Sequence, residues 1–325
     1  MIKDYPIEET MKAIVCTKFG PPNVLQLREV AKPIPKDNEV LIKIYATTVN
    51  PIDWKFRSGK MFLVRLISGL IKSKANVLGV ELAGIVESTG KDVRFIKQAD
   101  QVYGGGRNGA YAEYITLRQE NVALKPGNMT YEEAAAIPIG AISALQFLRD
   151  KGNIQSGQKV LINGASGGVG TFAVQLAKYF GAQVTGVCSS TNVELVKSLR
   201  ADNVIDYTKD DFTKNGQAYD IIFDVVGKSS FLRCKSSLKK KGVYLTATPT
   251  LVVILQMLWT LIVGSKKVKF MLVKPGTKDL VFLKDLIEAG KVKTVIDRAY
   301  TLDQTAQAHR YAEKGHAKGK VVITV

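Results

Sequence analysis

The sequence predicts an α/β fold in which a strand-rich first portion precedes a doubly wound parallel sheet. Three observations predict it. Up to about residue 130 the chain consists of short runs rich in Val, Ile and Thr, parted by turn residues. Beyond that point short apolar strands alternate with amphipathic helices, the pattern of a parallel sheet covered on both faces. Finally, one strand of the second portion runs directly into a glycine-rich loop that opens a helix.

The elements follow in order. MKAIVCTKF, LQLREV and EVLIKIYATTVN read as strands separated by GPPN and KPIPKDN, and GVELAGIVES and AEYITL continue the series. TYEEAAAIPIGAISALQFLRDKG reads as a helix pair opened by Thr130, with Glu133 completing a capping box. Then come the strand KVLINGA, a helix through VGTFAVQLAKYFG, the strand QVTGVCS, the helix VELVKSLR and the strand VIDY. YDIIFDVVG, a helix FLRCKSSLKKKG and VYLTATP follow. The chain ends with helix KDLVFLKDLIEAG, strand VKTVIDRAY, helix LDQTAQAHRYAEKG and strand KVVITV.

Composition sets outer bounds. At 325 residues and 46% apolar, the chain has room for about two domains. The net charge of +17 favours anionic partners, but no basic motif interleaved with aromatics is present, so nucleic acid is not expected. Cys16, Cys188 and Cys234 lie far apart, which offers neither a disulfide framework nor a cysteine-rich zinc site. His309 and His316, the only histidines, read as two surface residues rather than a zinc pair. MIKDYPIEET has no apolar signal region, and with the cysteine usage this points to a reduced, cytoplasmic setting.

Two apolar stretches stand out. LVVILQMLWTLIV (251–263) is too short for a span, which needs about 20 residues. It reads as a buried core helix or a dimer interface, with contact to an acidic membrane surface as the alternative because SKKVKFMLVK follows. MFLVRLISGLIKSK (61–74) reads as a loop-helix at a pocket mouth.

The strongest chemical signal is the loop itself. Ala165, Gly167 and Gly170 give A-x-G-x-x-G, with Ser166, Gly168 and Val169 filling the spacing, between a strand and a helix start. Small residues allow a sharp turn and close backbone approach to a pyrophosphate, and the helix N-terminus offers it N–H groups. A nicotinamide dinucleotide is therefore expected. The next strand ends in Cys188, Ser189, Ser190, Thr191 and Asn192, with no carboxylate before Glu194. This favours NADPH over NADH, since hydroxyls can donate to a 2′-phosphate, although no Arg or Lys stands in the stretch.

With these motifs the chain from Met11 to Val325 resembles the zinc-free medium-chain dehydrogenase/reductases of the quinone oxidoreductase branch, including chloroplast-envelope and bacterial members. The resemblance rests on VNPIDWK (49–55), GVELAGIV (79–86), PIGAISALQFL (138–148), the glycine-rich loop, VIDY (204–207), DVVG (224–227) and GKVVI (319–323), in that order. It implies a GroES-like β-barrel domain plus a Rossmann domain. Residues 1–128 would form the first part of the catalytic domain and 129–275 the NADP-binding domain. Residues 276–325 would return to the first domain, leaving a cleft between the two. A homodimer is also implied.

The resemblance further implies hydride transfer from NADPH to a small lipophilic quinone or α,β-unsaturated carbonyl, without zinc. The first zinc-ligand position reads Asn50, the G-H-E position reads Gly79, Val80 and Glu81, and no cysteine occurs between 17 and 187. Catalytic positions would be Asn50, Asp53 and Lys55. Ser143 would contact the nicotinamide ribose, and Ser166, Gly167, Gly168, Val169 and Gly170 the pyrophosphate. Ser189, Ser190, Asn192 and Tyr207 would surround the adenosine. Val226, Gly227, Thr246 and Thr248 would approach the nicotinamide, and Gly319 and Lys320 would close over the cofactor. Asn50 could equally hold a turn before Pro51, and Asp53 could be an ordinary loop acid.

Two positions depart from the family pattern. Lys55 replaces a tyrosine, and would donate a proton, steer an anionic substrate or point into solvent. Arg200 replaces a helix-ending glycine. The competing reading is an NADPH-binding protein of membrane surfaces with little turnover.

Overall fold

The computed structural model of the chain describes residues 9–59, 76–106, 108–248 and 250–325, so the 61–74 stretch lies outside the described residues. The chain divides into two units. One comprises Met1–Ile139, Pro275–Asp285 and Ile296–Val325; the other comprises Gly140–Lys274 and Leu286–Val295.

The second unit is built on six parallel strands. In spatial order they are Asn203–Asp206, Gln183–Cys188, Lys159–Asn163, Tyr219–Asp224, Leu238–Thr246 and Lys267–Lys269. Counted along the chain this is the order 3-2-1-4-5-6, the doubly wound arrangement, and it reverses between the first and fourth strands. Val160, Leu161 and Ile162 face Ile221, Ile222 and Phe223, all at most 1% exposed. Such unbroken apolar triplets are what a strand needs when both faces are covered. The helix Gly170–Tyr179 covers the sheet with eight consecutive buried residues, Gly170 to Ala177. Within it, fully buried Phe172 contributes about 1.5–3 kcal/mol.

Arg200 ends a helix in a glycine's place. The helix Val193–Ser198 closes with Ala201 N–H donating to Val196 C=O (3.4 Å) and Arg200 N–H donating to Lys197 C=O (2.8 Å). This is a Schellman closure, and it holds Arg200 at φ +71°, where a Cβ is unfavourable. Arg200→Gly is therefore expected to stabilise the protein by about 0.5–1 kcal/mol. Chemical denaturation should show the gain for Arg200→Gly and none for Arg200→Ala, which keeps the Cβ.

In the first unit the strand Glu39–Val49 organises a seven-stranded sheet, pairing with Glu81–Thr89, Tyr114–Arg118 and Lys320–Thr324. A three-stranded sheet of Thr10–Cys16, Leu25–Ala31 and Asn76–Val77 accompanies it. Its core includes Ile14, Leu78, Tyr111, Val321 and Ile323. Register carries the functional consequence. Val49 lies opposite Val321 and Thr47 opposite Leu82, which brings Asn50, Glu81 and Lys320 to one end of the sheet.

The Thr130 capping box forms: Thr130 Oγ1 accepts Glu133 N–H at 3.3 Å, and Glu133 Oε2 accepts Thr130 N–H at 3.0 Å. Two expected elements are corrected. The helix expected from FLRCKSSLKKKG stops at Cys234, because Leu238 onward joins the strand Leu238–Thr246. The 251–263 stretch is helical over Leu251–Ile262 but is no core helix. Val253, Gln256, Met257 and Thr260 turn inward, and the other apolar side chains of the helix are exposed among the described residues.

Candidate active site

The glycine loop has the shape its spacing implies. Gly164 turns the chain at φ +92°. A Cβ on Gly170 would lie 2.0 Å from Gly164 C=O, so only glycine lets the helix start this close to the strand. A Cβ on Gly140 would lie 2.4 Å from Gly168 C=O, and this close approach sets the helix that carries buried Ser143 against the loop. Gly167 is different: a Cβ there would meet nothing closer than 3.6 Å, leaving open space over the backbone. A backbone open at Gly167 beside a helix start with orphan N–H groups fits a dinucleotide pyrophosphate.

Residues expected around the adenosine converge. Asn192 Nδ2 donates to Ser166 Oγ (3.1 Å) and Ser189 Oγ (3.2 Å), tying the loop to the next strand end. Exposed Tyr207 donates its N–H to Cys188 C=O. The expectation of a carboxylate-free strand end needs correction. Parallel pairing sets Asp206 opposite Cys188, and the Ser190 hydroxyl donates to Asp206 Oδ2. Hydrogen bonds from Ser190 and Thr208 hold this carboxyl below its usual range, and Lys209 Nζ lies 3.9 Å away.

Asp224 is a residue that sequence reasoning noted only within the DVVG motif, with no role of its own. It is fully buried at the end of its strand, on the switch point of the sheet. Its carboxylate accepts from Asn163 Nδ2, Gly227 N–H and Ser229 N–H (each 3.0 Å) and from the Tyr244 hydroxyl (2.9 Å). Burial first, and the Asp224 charge second, hold the Tyr244 hydroxyl well above its usual range. Asp224 thereby fixes the loop carrying Val226 and Gly227. Gly227, Thr246 and Thr248 line a cavity of about 100 Å³ at this end of the sheet, with Val252, Val253 and Gln256. The signal in the sequence was an acid directly after the apolar run Ile221–Phe223.

The first unit gathers Asn50, Asp53 and Lys320, together with Glu81, which sequence reasoning noted only as part of a motif. Glu81 is fully buried. Its Oε1 accepts from Thr48 Oγ1, Asn50 Nδ2 (2.9 Å) and the Lys320 ammonium, and its Oε2 accepts from Ile139 N–H (2.6 Å). Lys320 also donates to Asn50 Oδ1 at 2.6 Å. The resemblance assigns Lys320 to the cofactor; the structure commits its ammonium to Glu81 and Asn50. Gly319, at φ +73°, turns the chain just before it. Asn50 also begins the helix Pro51–Ser58, where its N–H donates to Asp53 Oδ2 at 2.8 Å. Lys55 is not in this network, and its Nζ sits 5.6 Å from the Trp54 ring centroid.

His309 is not the surface residue expected. The helix Thr305–Ala312 turns Thr305, Ala308 and His309 inward, and His309 Nε2 lies 3.1 Å from the Tyr111 hydroxyl. Burial, helped by the Arg57 charge, pushes the imidazole down to about 3. Asp53 is buried beside the same tyrosine, and desolvation, reinforced by the Glu81 charge, raises its carboxyl to about 7.

These shifts have opposite consequences for stability. The folded state holds the Asp53 proton where an unfolded aspartate has lost it, so this residue's contribution falls as pH rises from about 4 to 7. His309 acts in reverse: its contribution falls as pH drops from about 6.5 to 3. Asp53→Asn removes the first slope. Relative to the unsubstituted protein, its stability should gain about 3 kcal/mol between pH 5 and pH 8 in urea titrations.

The donor set around Asn50 does not fit Zn²⁺. The positions offer an amide, the apolar Val80 and a Glu81 carboxylate already bound to an ammonium, where zinc requires thiolate, imidazole or free carboxylate. Among the described residues no group of three or more His, Cys, Asp or Glu is placed to hold a metal ion.

Residues 36–127 match the alcohol dehydrogenase GroES-like domain family, and residues 199–323 match the zinc-binding dehydrogenase family. The chain is 37% identical over 331 residues to 2-methylene-furan-3-one reductase of Solanum lycopersicum, spanning 98% of this chain and 80% of that protein. It is 33% identical over 315 residues to the chloroplast envelope quinone oxidoreductase homolog of Arabidopsis thaliana, spanning 91% and 92%. Among solved structures, the quinone oxidoreductase from Coxiella burnetii superposes with a TM-score of 0.89 at 30% identity, covering 98% of this chain and 100% of that one. The chain belongs to the medium-chain dehydrogenase/reductase superfamily, with its GroES-like domain and Rossmann parallel sheet. Within that superfamily it stands in the quinone oxidoreductase branch, as an oxidoreductase that works with a nicotinamide dinucleotide.

Proposed function

We propose that this protein is a zinc-independent reductase that uses NADPH, and NADH less well, to reduce a quinone or an α,β-unsaturated carbonyl. The observation that carries the reading is the Asn50–Glu81–Lys320 network at the position of a zinc site. Without a Lewis acid there, the chemistry suits an acceptor whose carbon is already electron-poor. The relatives named as a furanone reductase and as quinone oxidoreductases support that acceptor class.

When bound, the nicotinamide supplies a hydride; the acceptor also takes up one proton, giving a hydroquinone or a saturated carbonyl. The open backbone at Gly167 seats the pyrophosphate, and Asp224 holds the Val226–Gly227 loop at the cavity. Asn50, fixed by Lys320 and Glu81, presents a rigid polar group. Ser189, Ser190 and Lys209 favour a 2′-phosphate, while the Asp206 carboxylate keeps NADH acceptable.

Acceptor-dependent oxidation of NADPH and NADH tests this, using a small quinone, a 2-alkenal and a long-chain enone, with and without chelator. Chelator-insensitive turnover faster with NADPH is expected, and Asp206→Asn should raise the NADPH preference further. Turnover that needs zinc, or an alcohol oxidised with NADP⁺ in place of these acceptors, would sink the reading.

A further inference from the structure

Among the described residues, the helix Leu251–Ile262 leaves an apolar face without a partner. Leu251, Leu255, Leu258, Trp259, Leu261 and Ile262 are 48–88% exposed. Scattered exposed apolar residues need no explanation, but a contiguous face of this size does. Its setting is equally unusual in charge. The fifty residues 225–274 contain nine lysines, one arginine and no acidic residue, so over half of the net +17 lies in this segment. Several of these lysines gather at the helix. Lys235 Nζ sits 5.8 Å from the Trp259 ring centroid, and Lys266 Nζ donates to Lys235 C=O. Lys267 Nζ reaches the last helical carbonyls, at Thr260 and Leu261.

From this juxtaposition we infer that the face docks on an anionic lipid bilayer, the helix lying in the interface with the lysines of the neighbouring segments at the headgroups. An exposed helix face of leucines and an aromatic, ringed by cations from neighbouring segments, binds such a surface through both terms at once. The helix does not cross: twelve residues span about 18 Å against a hydrocarbon core of about 30 Å. A second copy is the poorer occupant, because a two-fold contact here would bring two purely basic segments together. The inference does not depend on the proposed reaction, since binding is read without turnover.

Co-sedimentation with vesicles of phosphatidylcholine alone and with about a third phosphatidylglycerol tests it. Binding to the anionic vesicles, weakened at high salt, is expected. In a Trp54→Phe background Trp259 is the sole tryptophan, and its emission should shift to the blue on binding. Leu255→Asp with Leu258→Asp, both at exposed positions, should reduce partitioning at least ten-fold, and Lys235→Gln about five-fold. Circular dichroism of each variant establishes that it is folded. No binding, equal binding to both vesicle types, or binding untouched by the leucine substitutions overturns the inference. So does lipid-free dimerisation abolished by those same substitutions, which would assign the face to a second copy.

Discussion

Lys320→Met is expected to cost about 3–5 kcal/mol of stability, the loss seen when one partner of a buried ion pair is removed. The cause is local. Glu81 is 0% exposed and Lys320 4%, so neither charge can turn to water when the other is lost. Glu81 would keep Thr48, Asn50 and Ile139 as hydrogen-bond donors but lose the cation bound to it, and Asn50 Oδ1 would lose the Lys320 donor. The double variant Glu81→Gln/Lys320→Met removes both charges while leaving an amide that still donates and accepts. It should recover most of the loss, since a neutral isostere of a buried pair is often nearly as stable as the pair. Urea titrations of the single and double variants measure the coupling directly. Additive losses would mean that the two charges do not sense each other. The reductase reading adds a second expectation: the double variant should fold yet turn over slowly, because Asn50 is no longer held from both sides.

How far the sequence foretold this site depends on how far apart its partners lie. The Thr130–Glu133 capping box and the A-x-G-x-x-G loop are local, and their geometry follows from spacing alone. The strand and helix alternation likewise led to the parallel sheet covered on both faces, because βαβ units leave little choice of topology. By contrast, Lys320 pairs with a glutamate 239 residues away, and only the register of the strand Glu39–Val49 brings them together. Asp206 reaches Ser190 for a similar reason, through pairing of neighbouring strands rather than proximity in sequence. His309 carried a signal that was open to reading, its helical phase with Thr305 and Ala308. The helix Leu251–Ile262 carried none. Its polar residues, Gln256 and Thr260, lie on the inward side, so no polar face marks the solvent side and its period does not show which few residues turn inward.

Gly167→Ala and Gly170→Ala should separate the loop's two tasks. At Gly170 a methyl group would lie 2.0 Å from Gly164 C=O, 2.8 Å from Gly164 C and 2.9 Å from Ala165 C, all backbone atoms that cannot swing aside. The helix Gly170–Tyr179 must then move off the strand Lys159–Asn163, disturbing a face on which eight consecutive helical residues are buried. Overpacking of this kind costs typically about 1–3 kcal/mol, so Gly170→Ala is expected to lower both stability and dinucleotide affinity. At Gly167 the nearest neighbour of the same methyl is 3.6 Å away, an ordinary contact, and the fold has no reason to change. The methyl would instead occupy the space the pyrophosphate needs. Gly167→Ala should therefore denature with the unsubstituted protein, within about 0.5 kcal/mol, while its NADPH affinity drops at least ten-fold. Calorimetric titration with NADPH, run beside thermal melts of both variants, makes the comparison. A Gly167→Ala protein that binds NADPH unchanged would show that the pyrophosphate lies elsewhere, even if Gly170→Ala behaves as expected.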